Sequence, residues 1–276
     1  MTGPQCIERA PVCGGLSRFV EAISVTQNAP GASERVLLPD GRACFIFHVR
    51  EQGAGHGPDE GAVYAAGPRT HVRRKAITDV RWSIAVRFRP GGAYPFFDAP
   101  LNQVMDKYLR LEELWGGDGT RLRDRLLEAP TMGARLGHVE DALEARMRRK
   151  DATEPASAKV ARLAARLMSE GPAMRIDALS HRFGLGPRQF LRIFDESIGV
   201  GPKVFARFVR FQRAIRAAES SSAPHWVAIA GAAGYYDQAH MIAEFRRLSG
   251  MTPRAFVASL RGDGGFNRAR ELRAVR

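Results

Sequence analysis

At 276 residues the chain has room for two domains, each burying a core of its own. With 45% hydrophobic and 26% charged residues it reads as globular, and its apolar runs stop short of the roughly 18 residues that cross a bilayer. The net charge of +13 is lopsided: residues 158–276 hold 20 Lys+Arg against 9 Asp+Glu and residues 1–157 hold 22 against 20, which sets a polyanion-binding half beside a near-neutral one.

The first twenty residues, MTGPQCIERAPVCGGLSRFV, lack a basic stretch followed by an apolar one, so no secretory leader is expected. Cys6, Cys13 and Cys44 are too few for a disulfide framework and have no zinc-site spacing, which suits a reducing cytoplasm. Residues 35 to 90 predict strands. VRWSIAVRF (80–88) alternates, with Val80, Trp82, Ile84, Val86 and Phe88 on one face and Arg81, Ser83, Ala85 and Arg87 on the other. ACFIFHV (43–49) is a denser run after the turn signal Pro39-Asp40-Gly41, EQGAGHGPDEG (51–61) reads as a glycine-rich hairpin loop, and RPGG (89–92) ends the strand region. Phe45, Phe47, Trp82, Ile84 and Phe88 are expected to be core before they are the lining of an effector pocket.

From about Leu101 the period turns helical. PLNQVMDKYLRLEELW (100–115) spaces Val104, Met105, Tyr108 and Leu111 for one helix face, and TRLRDRLLEA (120–129) and HVEDALEARMRR (138–149) predict two more helices. KDATEPASA (150–158) is a polar, proline-bearing break. Beyond it the chain reads as helices with short turns to about Leu260, then a basic, frayed tail.

Within that part a repeat stands out. Leu179, Phe183 and Gly184 recur as Ile229, Ala233 and Gly234, and Phe190, Phe194, Gly199, Pro202 and Phe205 recur as Met241, Phe245, Gly250, Pro253 and Phe256, with one extra residue after the second glycine. Each copy is a short helix, a glycine turn and a longer helix, the pattern of a helix-turn-helix. Pro187 is placed to open the first long helix and Asp237 to cap the second. Phe190, Ile193, Phe194 and Ile198 form one buried stripe, and Met241, Phe245 and Leu248 the other. Between the copies PKVFARFVRFQRAIRAAES (202–220) predicts a helix with Phe205, Phe208, Val209 and Ala214 at core spacing. Its cations Lys203, Arg207, Arg210 and Arg213 are expected on DNA phosphates, together with Arg246 and Arg247.

Residues 159–260 resemble the tandem helix-turn-helix domain of the AraC/XylS family of bacterial transcriptional regulators, through Gly234-Tyr235-Tyr236-Asp237-Gln238, Phe245-Arg246-Arg247 and Gly250-Met251-Thr252-Pro253. The first half is similar to the sensory region of one branch of that family, through VLLPDGRACFIFHV, VRFRPGGAYPFF and LEELWG. The resemblance implies two recognition helices in successive major grooves of one DNA face. It also implies RNA polymerase as a partner, a small-molecule effector at the N-terminal domain, and a homodimer. Carried over residue by residue, Arg188, Gln189 and Arg192 take base-reading positions in the first recognition helix, and Gln238, His240 and Ala243 the matching ones in the second. Ala243 standing where the first copy has Arg192 makes the first helix the main reader, with Arg246 and Arg247 as phosphate contacts.

The expected fold is α+β. A β-rich, cupin-like sensory or dimerisation domain with a helical C-terminal part spans 1–150, a linker 151–158, an all-α tandem helix-turn-helix domain 159–262 and a basic tail 263–276. The fragment from residue 155 onward is expected to bind DNA alone. His48, His56 and His71 lack the close pairing of a cupin metal site, no glycine loop with a lysine cradles phosphate, and three cysteines cannot build the four-thiolate zinc cluster of a DNA-repair methyl acceptor. No enzyme, metal or cofactor is expected, and no membrane. The rival readings are a DNA-binding architectural protein without sequence preference and a cupin-type enzyme tethered to DNA.

Overall fold

The structure, a computed structural model, describes residues 5–11, 14–27, 33–50, 61–77, 80–151, 156–170 and 175–261. Most of the expected hairpin loop at 51–61, His56, Cys13, part of the 151–158 linker and the basic tail lie outside the described residues.

The N-terminal half is built on an antiparallel six-stranded sheet. In spatial order its strands are β1 (Gln5–Arg9), β2 (Val20–Gln27), β7 (Val80–Phe88), β4 (Cys44–Arg50), β5 (Val63–Ala66) and β8 (Tyr108–Arg110). A second, two-stranded sheet pairs β3 (Ser33–Leu37) with β6 (Arg73–Ile77). The alternation in β7 does what it predicts. Ile84 sits opposite Val25 on β2 and Phe47 on β4, and Val86 opposite Ile23 and Phe45, so one face of three strands becomes apolar. Ser83, on the other face, is also buried and bonds to His48 Nδ1 at 3.0 Å. The turn before β4 is held by Asp40, whose carboxylate accepts from the Arg42 backbone N–H at 3.1 Å.

Residues 100–115 do not form the long helix their spacing predicts. A single 3-10 turn at Leu101–Gln103 is followed by β8, which pairs with β5, and only then by helix α1 (Leu111–Trp115). Asp106 breaks the period: its φ is +58°, and its carboxylate accepts from Thr70 Oγ1 at 2.5 Å and from the Thr70 N–H at 3.1 Å. Helices α2 (Gly117–Glu128) and α3 (Met132–Asp151) then add Leu122, Leu126, Val139 and Leu143 to the apolar face of the sheet. Phe45 lies at the centre, 4.9 Å from the ring of Phe88, 5.4 Å from Phe97 and 5.3 Å from Trp115.

The C-terminal half is helical: α4 (Ala156–Glu170), α5 (Ile176–Arg182), α6 (Pro187–Ile198), α7 (Pro202–Glu219), α8 (Trp226–Ala233), α9 (Gln238–Ser249) and α10 (Pro253–Arg261). Helix α7 is its axle. Phe205, Phe208, Phe211, Ala214 and Ile215 are all buried, whereas Val209, assigned to the core by spacing, is only partly covered.

The two halves are not separate beads. Leu38 belongs to the helical core, and Gly41 lies so close to Phe205 that a Cβ there would come within 2.6 Å of the ring. Gln212 Nε2 donates to the Pro39 carbonyl at 3.1 Å, and the Arg162 guanidinium lies 5.1 Å from the centre of the Phe19 ring. Glu21 pairs with Arg42 at 2.7 Å and Arg87 at 3.0 Å; burial pushes its carboxyl up, but the two arginines outweigh this and hold it below its ordinary value. Arg216 of α7 is half-buried beside that cluster, and burial, then Arg42, lowers its pKa. The helical repeat therefore leans on the first half through apolar, hydrogen-bonded and charged contacts.

Candidate nucleic-acid interface

The repeat seen in sequence is a repeat in hydrogen bonds. In the first unit α5 leads to α6 through Gly184 at φ +64°, with the Gly184 N–H donating to His181 O at 2.9 Å and the Leu185 N–H to Ser180 O at 3.0 Å. In the second, α8 leads to α9 through Gly234 at φ +89°, with Gly234 donating to Gly231 O at 3.0 Å and Tyr235 to Ala230 O at 2.9 Å. Both glycines occupy the left-handed region, where a side chain is strained, and this turn lets each long helix leave at a steep angle.

The long helices also match. Each has 12 residues and ends on a left-handed glycine, Gly199 at φ +90° and Gly250 at φ +73°, whose N–H closes the last turn. Pro187 opens α6 as expected, and Asp237 caps α9, accepting from the His240 N–H at 2.7 Å. Phe190, Ile193, Phe194 and Ile198 are buried on α6, and Met241, Phe245 and Leu248 on α9.

The outward faces carry the candidate DNA-binding residues. Arg188, Gln189 and Arg192 are exposed on α6; His240, Ala243, Arg246 and Arg247 are exposed on α9, and Gln238 is half-buried at its start. Arg192 is loosely paired with Glu196 one turn on, at 3.4 Å. His240 Nδ1 accepts from the Tyr236 N–H at 3.4 Å, which leaves the proton on Nε2, a donor suited to guanine O6 or N7. Aligned from their first residues, α6 and α9 place Ala239 and Ala243 where Arg188 and Arg192 stand.

Helix α7 departs from expectation, because most of its cations serve the fold. Arg207 Nε bonds Glu244 on α9 at 2.6 Å, and Arg210 stacks 5.5 Å from the centre of the buried Tyr235 ring. Arg213 donates to the last carbonyls of α4, Met168 and Ser169, at 3.3 and 3.4 Å. Only Lys203 among those four is exposed. A helix packed between two units keeps little open surface, so these long cations lie along their neighbours.

The N-terminal half reaches the far ends of both recognition helices. Asn102 Nδ2 donates to Asp195 on α6 at 2.7 Å, and the Val72 N–H donates to the Leu248 carbonyl on α9 at 2.8 Å. Between these contacts lies a cleft of about 740 Å³ lined by Thr70, Asn102, Asp195, Arg207 and Arg247 among others. Arg247 thus faces this cleft. Sequence reasoning missed Asp195, Gln212 and Leu248 as docking residues; their partners lie far away in the chain and leave no local pattern. The apolar face of the N-terminal sheet, by contrast, leaves only about 20 Å³ among Phe45, Phe47, Ile84 and Trp115, which is room for one water. Phe45, Phe47, Ile84 and Phe88 are buried core, with Trp82 packed against it. Among the described residues no three His, Cys, Asp or Glu side chains gather as a metal ion needs, and no helix is long and apolar enough to cross a membrane.

Residues 179–259, spanning both units, match a family described as a helix-turn-helix domain, and residues 8–110 match a domain of unknown function. The chain carries an AraC-type helix-turn-helix domain. It is thereby a DNA-binding transcription regulator, with a β-rich N-terminal region and a helical C-terminal one. Among solved structures it is similar to the DNA-binding domain of AdpA, a global transcriptional factor solved with a target DNA, at 25% identity over 43% of this chain and 97% of that one, with a TM-score of 0.33. It is also similar to ToxT from Vibrio cholerae. The structure of ToxT with an unsaturated fatty acid is 11% identical over 89% of this chain and 98% of that one, with a TM-score of 0.43. Another ToxT structure is 10% identical over 95% and 100%, with a TM-score of 0.41. No curated protein matches the chain.

Proposed function

We propose that the protein is a sequence-specific regulator whose α6 and α9 enter two successive major grooves on one face of duplex DNA. The observation that carries this reading is the duplicated unit itself: the same turn bonds and the same glycine stops, joined by one buried helix of 18 residues, roughly 27 Å long. A rigid spacer of that length suits grooves that recur about every 34 Å. Arg188, Gln189 and Arg192 read bases in one groove, arginine through its fork to guanine and glutamine to adenine. Gln238, His240 and Ala243 face the other, with Arg246 and Arg247 as phosphate contacts.

A small-molecule effector fits the cleft of about 740 Å³ between the halves, whereas the space among Phe45, Phe47, Ile84 and Trp115 holds about one water. RNA polymerase and a second copy of the chain complete the partners, in the cytoplasm; the exposed Ile7 on edge strand β1 supports self-association there. The protein acts as a regulator and not as an enzyme.

Selection of bound sites from a randomised duplex library tests this reading. The expected product is a two-part site that fails when five base pairs are inserted between its parts, because the insertion puts them on opposite faces of the duplex. With Arg207, Arg210 and Arg213 held internally, log affinity should fall against log salt with a slope of roughly −2 to −3. Enrichment of no sequence, with equal affinity for any duplex, would establish the architectural alternative instead.

A further inference from the structure

The two units arrive at their recognition helices by different side chains. In the first, Leu185 is followed by Gly186, which is itself the N-cap of α6 and carries no side chain. In the second, Tyr235 is followed by Tyr236, and the cap falls one residue later on Asp237. Counted from the caps, Asp237 matches Gly186 and Tyr236 is the one extra residue of the second unit; at 93% exposure it is the most open large side chain of apolar body among the described residues.

Nothing about its backbone is loose. The Tyr235 N–H is bonded to Ala230 at 2.9 Å, the Tyr236 N–H to His240 Nδ1 at 3.4 Å, and Asp237 caps the helix at 2.7 Å. A ring with two torsions is thus held out from a fixed point, and it loses little rotamer freedom on meeting a surface. Beside it, the outward face of α9 is short, with Ala239 and Ala243 in place of the two arginines of α6. A helix with long side chains spans about 10–12 Å, close to the ~12 Å width of a major groove. One faced with methyl groups settles deeper, which brings the turn before it against the sugar-phosphate wall.

We propose that Tyr236 is a DNA-contacting residue, its ring lying on the sugar face of one strand at the groove edge and its phenolic O–H donating to a phosphate oxygen. This rests on the reading of α9 as the second recognition helix. The contact is to the backbone, so it holds the second unit in place whatever the base sequence. Being neutral, it displaces no counterion.

The test is equilibrium binding of the full chain and its Tyr236→Ala and Tyr236→Phe variants to the library-selected duplex and to a scrambled one, across a salt series. Loss of a hydrogen bond to a charged group weakens binding by about tenfold. Tyr236→Phe, which removes only the hydroxyl, should therefore lose about tenfold on both duplexes, Tyr236→Ala more than that, and the salt slope should stay that of the parent. Thermal midpoints should not move, since the side chain is almost fully exposed. Tyr236→Ala binding within twofold of the parent would overturn the proposal, and so would a change in preference confined to one base pair, which would make Tyr236 a base reader. If the parent chain itself selects no site, the recognition-helix reading fails, and that shows in the parent arm alone.

Discussion

The first helix-turn-helix unit is armed and tethered; the second is smooth and comparatively free. Helix α6 shows Arg188 and Arg192 outward, while its far end is gripped by the N-terminal half through Asn102 and against Pro68 and Leu101. Helix α9 shows Ala239 and Ala243 at the matching places and, among the described residues, meets the N-terminal half at Val72, whose N–H donates to the Leu248 carbonyl. One backbone plan used twice has thus been given two sets of side chains. The helix-turn-helix specifies where a recognition helix stands; what that helix reads, and what it leans on, is decided by residues outside the repeat's glycine and core positions.

The paired glycine stops test the difference in tethering. At Gly199 a Cβ would meet Pro68 Cγ at 2.8 Å and the Leu101 carbonyl oxygen at 3.1 Å, on a backbone at φ +90°. At Gly250 φ is +73° and nothing lies within 4 Å. Gly250→Ala should cost about 1–2 kcal/mol, the left-handed penalty alone. Gly199→Ala adds overpacking between the halves and should cost roughly 3 kcal/mol or more. Urea unfolding of both variants measures this, and equal costs would mean that the first unit is no more tightly docked than the second.

The difference in arming is tested by arginine. Arg192→Ala should cost about 1–3 kcal/mol at the selected site and relax preference at one base-pair position. Arg246→Ala should weaken all sequences by a similar factor, as a phosphate contact does. Binding of each variant to the randomised library reads both. Base preferences that survive Arg192→Ala and change with Arg246→Ala would reverse the assigned roles.

Much of this was legible in the sequence, because it is written locally. The duplicated glycines, Pro187, the Asp237 cap and the buried stripes on α6 and α9 each depend on residues within two turns of one another. The strand β7 was legible for the same reason, its alternation matching a sheet with one buried face. What failed to show was long-range. The helix expected over 100–115 is broken by Asp106, whose partner Thr70 lies in another part of the chain. The arginines of α7 looked free because Glu244, Tyr235 and the end of α4 come to them only in the fold. The expected independence of residues from 155 onward overlooked Gly41 and Pro39, which close over Phe205 and Gln212. No periodicity announces a contact between two such distant points.

Smaller effects separate the two units at their helix starts. Asp237→Ala removes the cap of α9 and leaves the His240 N–H without its 2.7 Å acceptor, which should cost about 1 kcal/mol. Amide exchange should show the loss in the first turn of α9 and not in α6. Equal exchange in both helices would mean that water replaces the cap without penalty.

The smallest predicted change runs the other way, and it bears on which end of α6 faces DNA. Gly186 caps α6 with no side chain, yet its φ of −64° and ψ of 148° suit an aspartate, and a Cβ there meets nothing within 4 Å. Gly186→Asp should supply the cap that α9 already has and place a negative charge at the positive end of the helix, gaining a few tenths of a kcal/mol. The same carboxylate would sit two residues before Arg188. If the start of α6 enters a groove, it stands close to phosphates and repels them, so DNA affinity should fall while the unfolding midpoint rises. Stability and binding measured on the one variant therefore move in opposite directions. A variant that is both more stable and as tight a binder as its parent would show that the start of α6 stays clear of the DNA backbone.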